Sequence, residues 1–197
     1  MEKQRLEVQI GFILEIDRLK TISRRTYLTD KSRFENSAEH SWHIAIMAMV
    51  LADYANAPNI DLLRVIKMLL IHDLVEIDAG DTFVYDSDAG ADKQDRELAA
   101  AERIFNLLPK DQSVHFRDLW DEFEERKTPE AKFAAALDRL QPLLHNLYTR
   151  GKSWQEHGVR KGQVVAINHQ MADGAKDLWD FAAEWLEKAA AQGYLGK

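Results

Sequence analysis

Three reactive side chains end an apolar run: His72, Asp73 and Glu76 close the stretch LLRVIKMLLIHDLVE, residues 62–76. On a helix they fall within an arc of about 100°, with Arg64 and Lys67 pointing well away. A helix apolar over most of its circumference is usually buried, and a buried imidazole or carboxylate must be hydrogen-bonded, ion-paired or bound to a metal. His40 and Asp138, elsewhere in the chain, are of the same type. Two imidazoles and two carboxylates suit one divalent cation such as Mn²⁺, Co²⁺, Fe²⁺, Zn²⁺ or Mg²⁺, leaving coordination positions for water and substrate. Taken singly, each residue is more often an ordinary core or surface group. Arg24, Arg25, Lys31 and Arg33 form a basic segment in an otherwise acidic chain. Such a segment is either a solvated loop or a grip for an anion.

Helices must position these groups. Leu6, Ile10, Ile13, Leu14, Ile16 and Leu19 are spaced for an amphipathic helix over 5–19. The basic segment reads as a loop. Asn36 with Glu39 has the form of a capping box, so a helix is predicted from there to about Tyr54, with His40 in its first turn and His43 one turn on. The run ending in Glu76 is predicted as one helix over 61–76. The stretch 77–92, with Asp78, Asp81, Asp86, Asp88 and Asp92, reads as an acidic loop, and its glycine is misplaced for a calcium loop. Further helices are predicted over 93–108 and 114–126. Thr128 and Pro129 start another, whose stripe Phe133, Leu137, Leu140, Leu144 and Leu147 borders Asp138. Pro142 removes a helical hydrogen bond and predicts a kink beside Asp138. A loop over 150–162 and a final helix over 164–190 complete an all-α chain with strand signals nearly absent and no linker, predicted as one domain over 1–197.

Composition narrows the chemistry. The 197 residues include no cysteine, which excludes disulfides and thiolate ligands and leaves nitrogen and oxygen donors for any metal. Hydrophobic content of 46% with 30% charged residues is that of a folded soluble chain. A net charge of −7 argues against polymeric nucleic acid as partner, while a local basic patch still suits a small phosphate ester. The N-terminal stretch lacks the apolar core of a signal peptide and no segment suits a membrane span, so a cytoplasmic protein is expected.

The series AEHSWH, HDLVE followed by DAGD, and ALDRLQPL, in this order over nearly the whole chain, resembles the HD superfamily of metal-dependent phosphohydrolases. Order and spacing are most similar to the branch containing the bacterial 5′-deoxynucleotidases. The resemblance implies an all-α HD-domain bundle with His40, His72, Asp73 and Asp138 as ligands to one divalent ion and His43 outside that set. It implies Glu76 as the catalytic carboxylate and Asp81 as a second acidic group near the sugar or the attacking water. It also implies an arginine for the substrate phosphate, for which Arg24 and Arg25 compete, with Arg33 a further candidate. The deoxynucleotidases place tryptophan directly after that arginine. Here the position is Arg25, or Tyr27 if the loop is shifted, and the sugar preference stays open.

The expected activity is removal of the 5′-phosphate from a nucleoside monophosphate. Another small phosphate ester or a nucleoside polyphosphate is the enzymatic alternative, disfavoured because one basic loop supplies few cations for several phosphates. A non-catalytic nucleotide- or metal-binding module, or a buried salt-bridge network without metal, are the remaining alternatives. Members of the resembled branch are often dimers, and five tryptophans leave apolar surface for pairing, so a homodimer is expected.

Overall fold

The computed structural model describes residues 2–85 and 92–196. The helices come in the order α1 (Glu2–Ile16), α2 (Ser37–Leu51), α3 (Leu62–Ile71), α4 (Glu76–Ala79), α5 (Lys93–Phe105), α6 (Lys110–Glu125), α7 (Pro129–Tyr148), α8 (Lys152–Glu156), α9 (Lys161–Asn168) and α10 (Lys176–Ala191). Between α1 and α2 lies an antiparallel hairpin of β1 (Ser23–Tyr27) and β2 (Phe34–Asn36). The architecture is all-α, as the hydrophobic periodicity implies, with this one small sheet added.

α7 is the central element. Thr128 caps it by accepting from Ala131 N at 3.2 Å, and Pro129 fills its first turn, where no amide hydrogen is needed. Its buried side chains, Phe133, Leu137, Leu140 and Leu143 among Ala131, Ala134 and Ala136, pack against α2, α3, α6 and α10 in one continuous hydrophobic cluster. The small alanines let neighbouring backbones come close to the face that carries Asp138. The helix runs through Pro142 without ending.

The basic segment is not a plain loop. Ser23 pairs with Asn36 and Tyr27 with Phe34, with an irregular register between them and the Tyr27 and Phe34 rings 4.2 Å apart. A two-stranded ribbon this short is marginal alone and depends on its packing against α7 and α8.

The run ending in Glu76 also differs from a single helix. Asp61 caps α3 through Arg64 N at 3.0 Å, but regular α-geometry stops at Ile71. His72–Val75 tighten into a 3₁₀ turn before α4, and Gly80 then leaves α4 at φ 75°, a left-handed conformation that glycine adopts without strain. α3 buries Val65, Met68, Leu69 and Ile71, while Leu63 and Leu70 are exposed.

Other boundaries move as well. α6 begins at Lys110, earlier than its apolar pattern. α8 occupies part of the predicted 150–162 loop. The predicted final helix is interrupted: α9 ends at Asn168, and a 3₁₀ turn covers His169–Asp173 and stops at Gly174, where a Cβ would lie 2.1 Å from Lys132 O of α7. That close approach permits only glycine and ends the helical path. Residues 86–91, with Asp86 and Asp88 of the predicted acidic loop, lie outside the described residues.

Candidate active site

The four predicted ligands converge although they come from three segments. Asn36 Oδ1 accepts from Glu39 N at 2.9 Å and Glu39 Oε2 accepts from Asn36 N at 3.3 Å, a capping box that fixes the first turn of α2 and with it His40. His40 is fully buried, with Nε2 2.9 Å from Asp138 Oδ1 of α7. His72 Nδ1 donates to Leu69 O at 2.9 Å, so its free lone pair is on Nε2. That atom is buried, makes no hydrogen bond among the described residues, and lies 3.0 Å from Asp73 Oδ1 and 3.6 Å from Asp138 Oδ1. One donor atom each from His40, His72 and Asp73 lie within 4.8 Å of one another.

This set fits a divalent cation. Neighbouring ligands at about 2.1 Å around an octahedral ion are about 3 Å apart, close to the N···O separations seen here. An orphaned imidazole nitrogen facing two carboxylates is costly when buried, and a cation between them resolves it. In the metal-free protein a proton takes that role: burial works against charge on His72, but Asp73 and Asp138 overcome it and push its pKa up to about 9. Burial acts to raise the Asp138 pKa, yet hydrogen bonding and charge from His40 and His72 hold it well below the usual carboxylate range.

Beside this cluster lies a cavity of about 280 Å³, near the lower size of small-molecule sites. Glu76, Asp81, Arg24, Asp73 and Asp138 line it. Ser37 Oγ donates to Glu76 Oε2 at 2.6 Å. Burial and then the Asp73 charge push the Glu76 carboxyl up to about 8, with Arg24 and Ser37 opposing. Burial also raises Asp81, against Arg24. Arg24 Nη1 is 2.9 Å from Asp73 Oδ2 and 3.8 Å from Asp81 Oδ1. Burial opposes its charge, but Asp73, Glu76, Asp81 and Asp138 together raise its pKa.

The three candidate arginines separate cleanly. Arg24, second in β1, turns into the charged cluster, whereas Arg25 is exposed at the cavity wall and its carbonyl accepts from Ser153 Oγ at 2.7 Å. Arg33 lies at the surface in a two-pronged pair with Glu39, at 2.8 and 2.6 Å. His43 lies beside Gln141, its Nδ1 3.3 Å from the amide nitrogen. Sequence reasoning missed Ser37 and Gln141. Gln141 carried a signal, lying one turn after Asp138, whereas Ser37 follows the helix cap and reads as an ordinary N-terminal serine.

Residues 16–179 match the family model described as HD domain. The chain is 32% identical over 139 residues to the Xenopus laevis 5′-deoxynucleotidase HDDC2, covering 70% of this chain and about two thirds, 67%, of that protein. It is 28% identical over 165 residues to a 5′-deoxynucleotidase of Yersinia pestis, covering 79% of this chain and 83% of that one. The crystal structure of a predicted metal-dependent phosphohydrolase from Magnetospirillum magnetotacticum superposes with a TM-score of 0.93 at 52% identity, over 98% of this chain and 96% of the other. With the His, Asp and Glu groups gathered as that resemblance implies, the chain belongs to the HD-domain family of metal-dependent phosphohydrolases.

Proposed function

We propose that this HD-domain enzyme, folded as one domain over 1–197, removes the 5′-phosphate from nucleoside monophosphates, deoxynucleotides foremost. The observation that carries this reading is Arg24, a buried guanidinium between Asp73 and Asp81 on the wall of the same cavity as the His and Asp cluster. A planar guanidinium grips a phosphate with two parallel hydrogen bonds. In this reading His40, His72, Asp73 and Asp138 hold the ion, which is Mn²⁺, Co²⁺, Fe²⁺, Zn²⁺ or Mg²⁺. When bound, it supplies Lewis acidity to the phosphoryl group and lowers the pKa of water.

The chain's own residues do the rest. Glu76 accepts the proton of the attacking water, with Ser37 donating to its Oε2 and so orienting the carboxylate. Asp81, repelled by phosphate, takes the water or a sugar hydroxyl, and Arg24 neutralises the phosphate. Arg25 stands where the resembled deoxynucleotidases carry tryptophan, so it meets the sugar side. The small cavity and the net charge of −7 suit a small ester and not a nucleic-acid polymer. Among the described residues no helix is long and apolar enough to cross a membrane. We place the enzyme with the nucleotide pool of the cytoplasm and, from its exposed apolar helix faces, in a homodimer.

The test is phosphate release from a panel of ribo- and deoxynucleotides, with chelator and with added Mn²⁺ or Co²⁺. Release confined to monophosphates in the metal-loaded samples is expected. Inertness of every monophosphate despite bound metal overturns the proposal. One observation favours a wider substrate class: Lys93, Arg126 and Arg139 line the same cavity, and Arg139 Nε is buried without a hydrogen bond among the described residues. These are cations the basic segment does not supply, so the panel includes di- and triphosphates.

A further inference from the structure

Behind His40, away from the cavity, the interior holds a second polar group that the proposed chemistry does not use. Glu35 of β2, His43 of α2 and His145 of α7 bring one donor atom each within 4.8 Å of one another, a spacing suited to a metal. The centre is already filled. The amide nitrogen of Gln141 lies 2.5 Å from Glu35 Oε1, 3.2 Å from His145 Nε2 and 3.3 Å from His43 Nδ1. An amide nitrogen only donates, and Glu35 Oε1, which accepts whatever the histidine tautomers, fixes which end of the amide points there. Reversing the amide would set its oxygen 2.5 Å from a carboxylate oxygen. Gln141 Oε1 therefore points the other way, 3.1 Å from His40 Nδ1.

An amide oxygen only accepts, so His40 Nδ1 must carry the hydrogen. In the neutral ring the lone pair is then on Nε2, 2.9 Å from Asp138 Oδ1. His72 reaches the same state through Leu69 O, a backbone acceptor that no substitution removes. For His40 the task falls to a side chain that is itself fully buried.

We infer that Gln141 is a positioning residue of the metal centre: it sets the tautomer and ring orientation of His40, and Glu35, His43 and His145 hold its amide in the one orientation that does so. This rests on His40 being a ligand, as proposed above. Outer partners of ligating histidines orient the ring and raise its basicity, and losing one costs about 10–100-fold in metal affinity.

The test measures Zn²⁺ and Co²⁺ affinity of the full chain by chelator competition. It also records the Co²⁺ absorption spectrum and the His40 ring nitrogen shifts of the Zn²⁺-loaded protein. Gln141→Leu should weaken binding about 10–100-fold and change the Co²⁺ spectrum, with wild-type shifts showing hydrogen on Nδ1 and metal at Nε2. Glu35→Gln, which frees the amide to turn, should weaken binding less and decides the matter if Gln141→Leu does not fold. Wild-type affinity and spectrum in the folded Gln141→Leu protein, or in Glu35→Gln when that is the only folded variant, overturn the inference. A second bound ion lost on His145→Ala would also overturn it, because the cluster would then be a metal site. His40→Ala separates the two levels. If it binds metal like wild type, the ligand reading itself fails; if it loses metal while Gln141→Leu keeps it, only the role of Gln141 falls.

Discussion

Glu76 opens α4 directly after the short turn that begins at His72, and burial with neighbouring charge shifts the titration of both. Burial and the Asp73 charge keep the Glu76 carboxyl basic, and Ser37 donates to its Oε2. Glu76→Gln should keep the fold and the bound metal while kcat falls by about 10²–10⁴-fold. Steady-state rates beside metal analysis check this, and an unchanged rate removes Glu76 from the chemistry. The pH dependence of the metal-free protein follows from the same groups. The folded-state pKa of His72 is raised from 6.5 to about 9, so the stability it contributes is fully present below 6.5 and lost as pH rises through 9. Glu76, raised from 4.5 to about 8, favours its protonated form in the folded state, so its contribution also declines with rising pH, from 4.5 through 8. In chelator, Tm should fall by a few degrees between about pH 6.5 and 9, as followed by circular dichroism. A rise over that window contradicts the assigned environments.

At the scale of elements, the site depends on where helices begin and where they change pitch. The capping box of Asn36 and Glu39 starts α2 one turn before His40 needs to be in place. Asn36→Ala should cost about 0.5–2 kcal/mol of stability and weaken metal binding together, because the cap and His40, the proposed ligand, share one turn. Thermal unfolding and chelator competition measure the two effects. Loss of stability without loss of affinity would detach the cap from the metal centre. The 3₁₀ turn His72–Val75 has a related role, bringing His72, Asp73 and then Glu76 to the cavity after α3 has buried its apolar face. The hairpin delivers Arg24 by the alternation of a strand, which faces Arg24 and Arg25 in different directions.

Across the whole molecule, apolar surface is left without cover. Trp42, Ile46, Met49 and Val50 recur at positions i, i+4, i+7 and i+8 of α2 and are 62%, 43%, 60% and 71% exposed. Leu6, Ile10, Ile13 and Leu14 repeat this spacing on α1 and are exposed as well. Two such faces on one chain are more than scattered surface residues and suit a second copy. Light scattering coupled to gel filtration should give a dimer for the wild type, and Trp42→Glu with Met49→Asp should give a folded monomer. A monomeric wild type at micromolar concentration removes the pairing proposal.

The sequence by itself determined the all-α class, the cap at Asn36, the start of α7 at Thr128, and the residue types gathered at the site. These are local properties, set by side-chain period, capping chemistry and the motifs HDLVE and ALDRL. What only the tertiary structure decided depends on neighbours distant in the chain. Arg24 and Arg25 are equivalent in the sequence until β1 pairs with β2 and packs on α7, which turns one inward. The break at Gly174 follows from a backbone approach to Lys132 that no local pattern encodes. Ser37 and Gln141 carry ordinary polar side chains, and their importance appears only when Glu76 and His40 arrive beside them from elsewhere in the chain. Periodicity and caps are written along the chain, whereas the partner of a buried polar group is settled by packing in three dimensions.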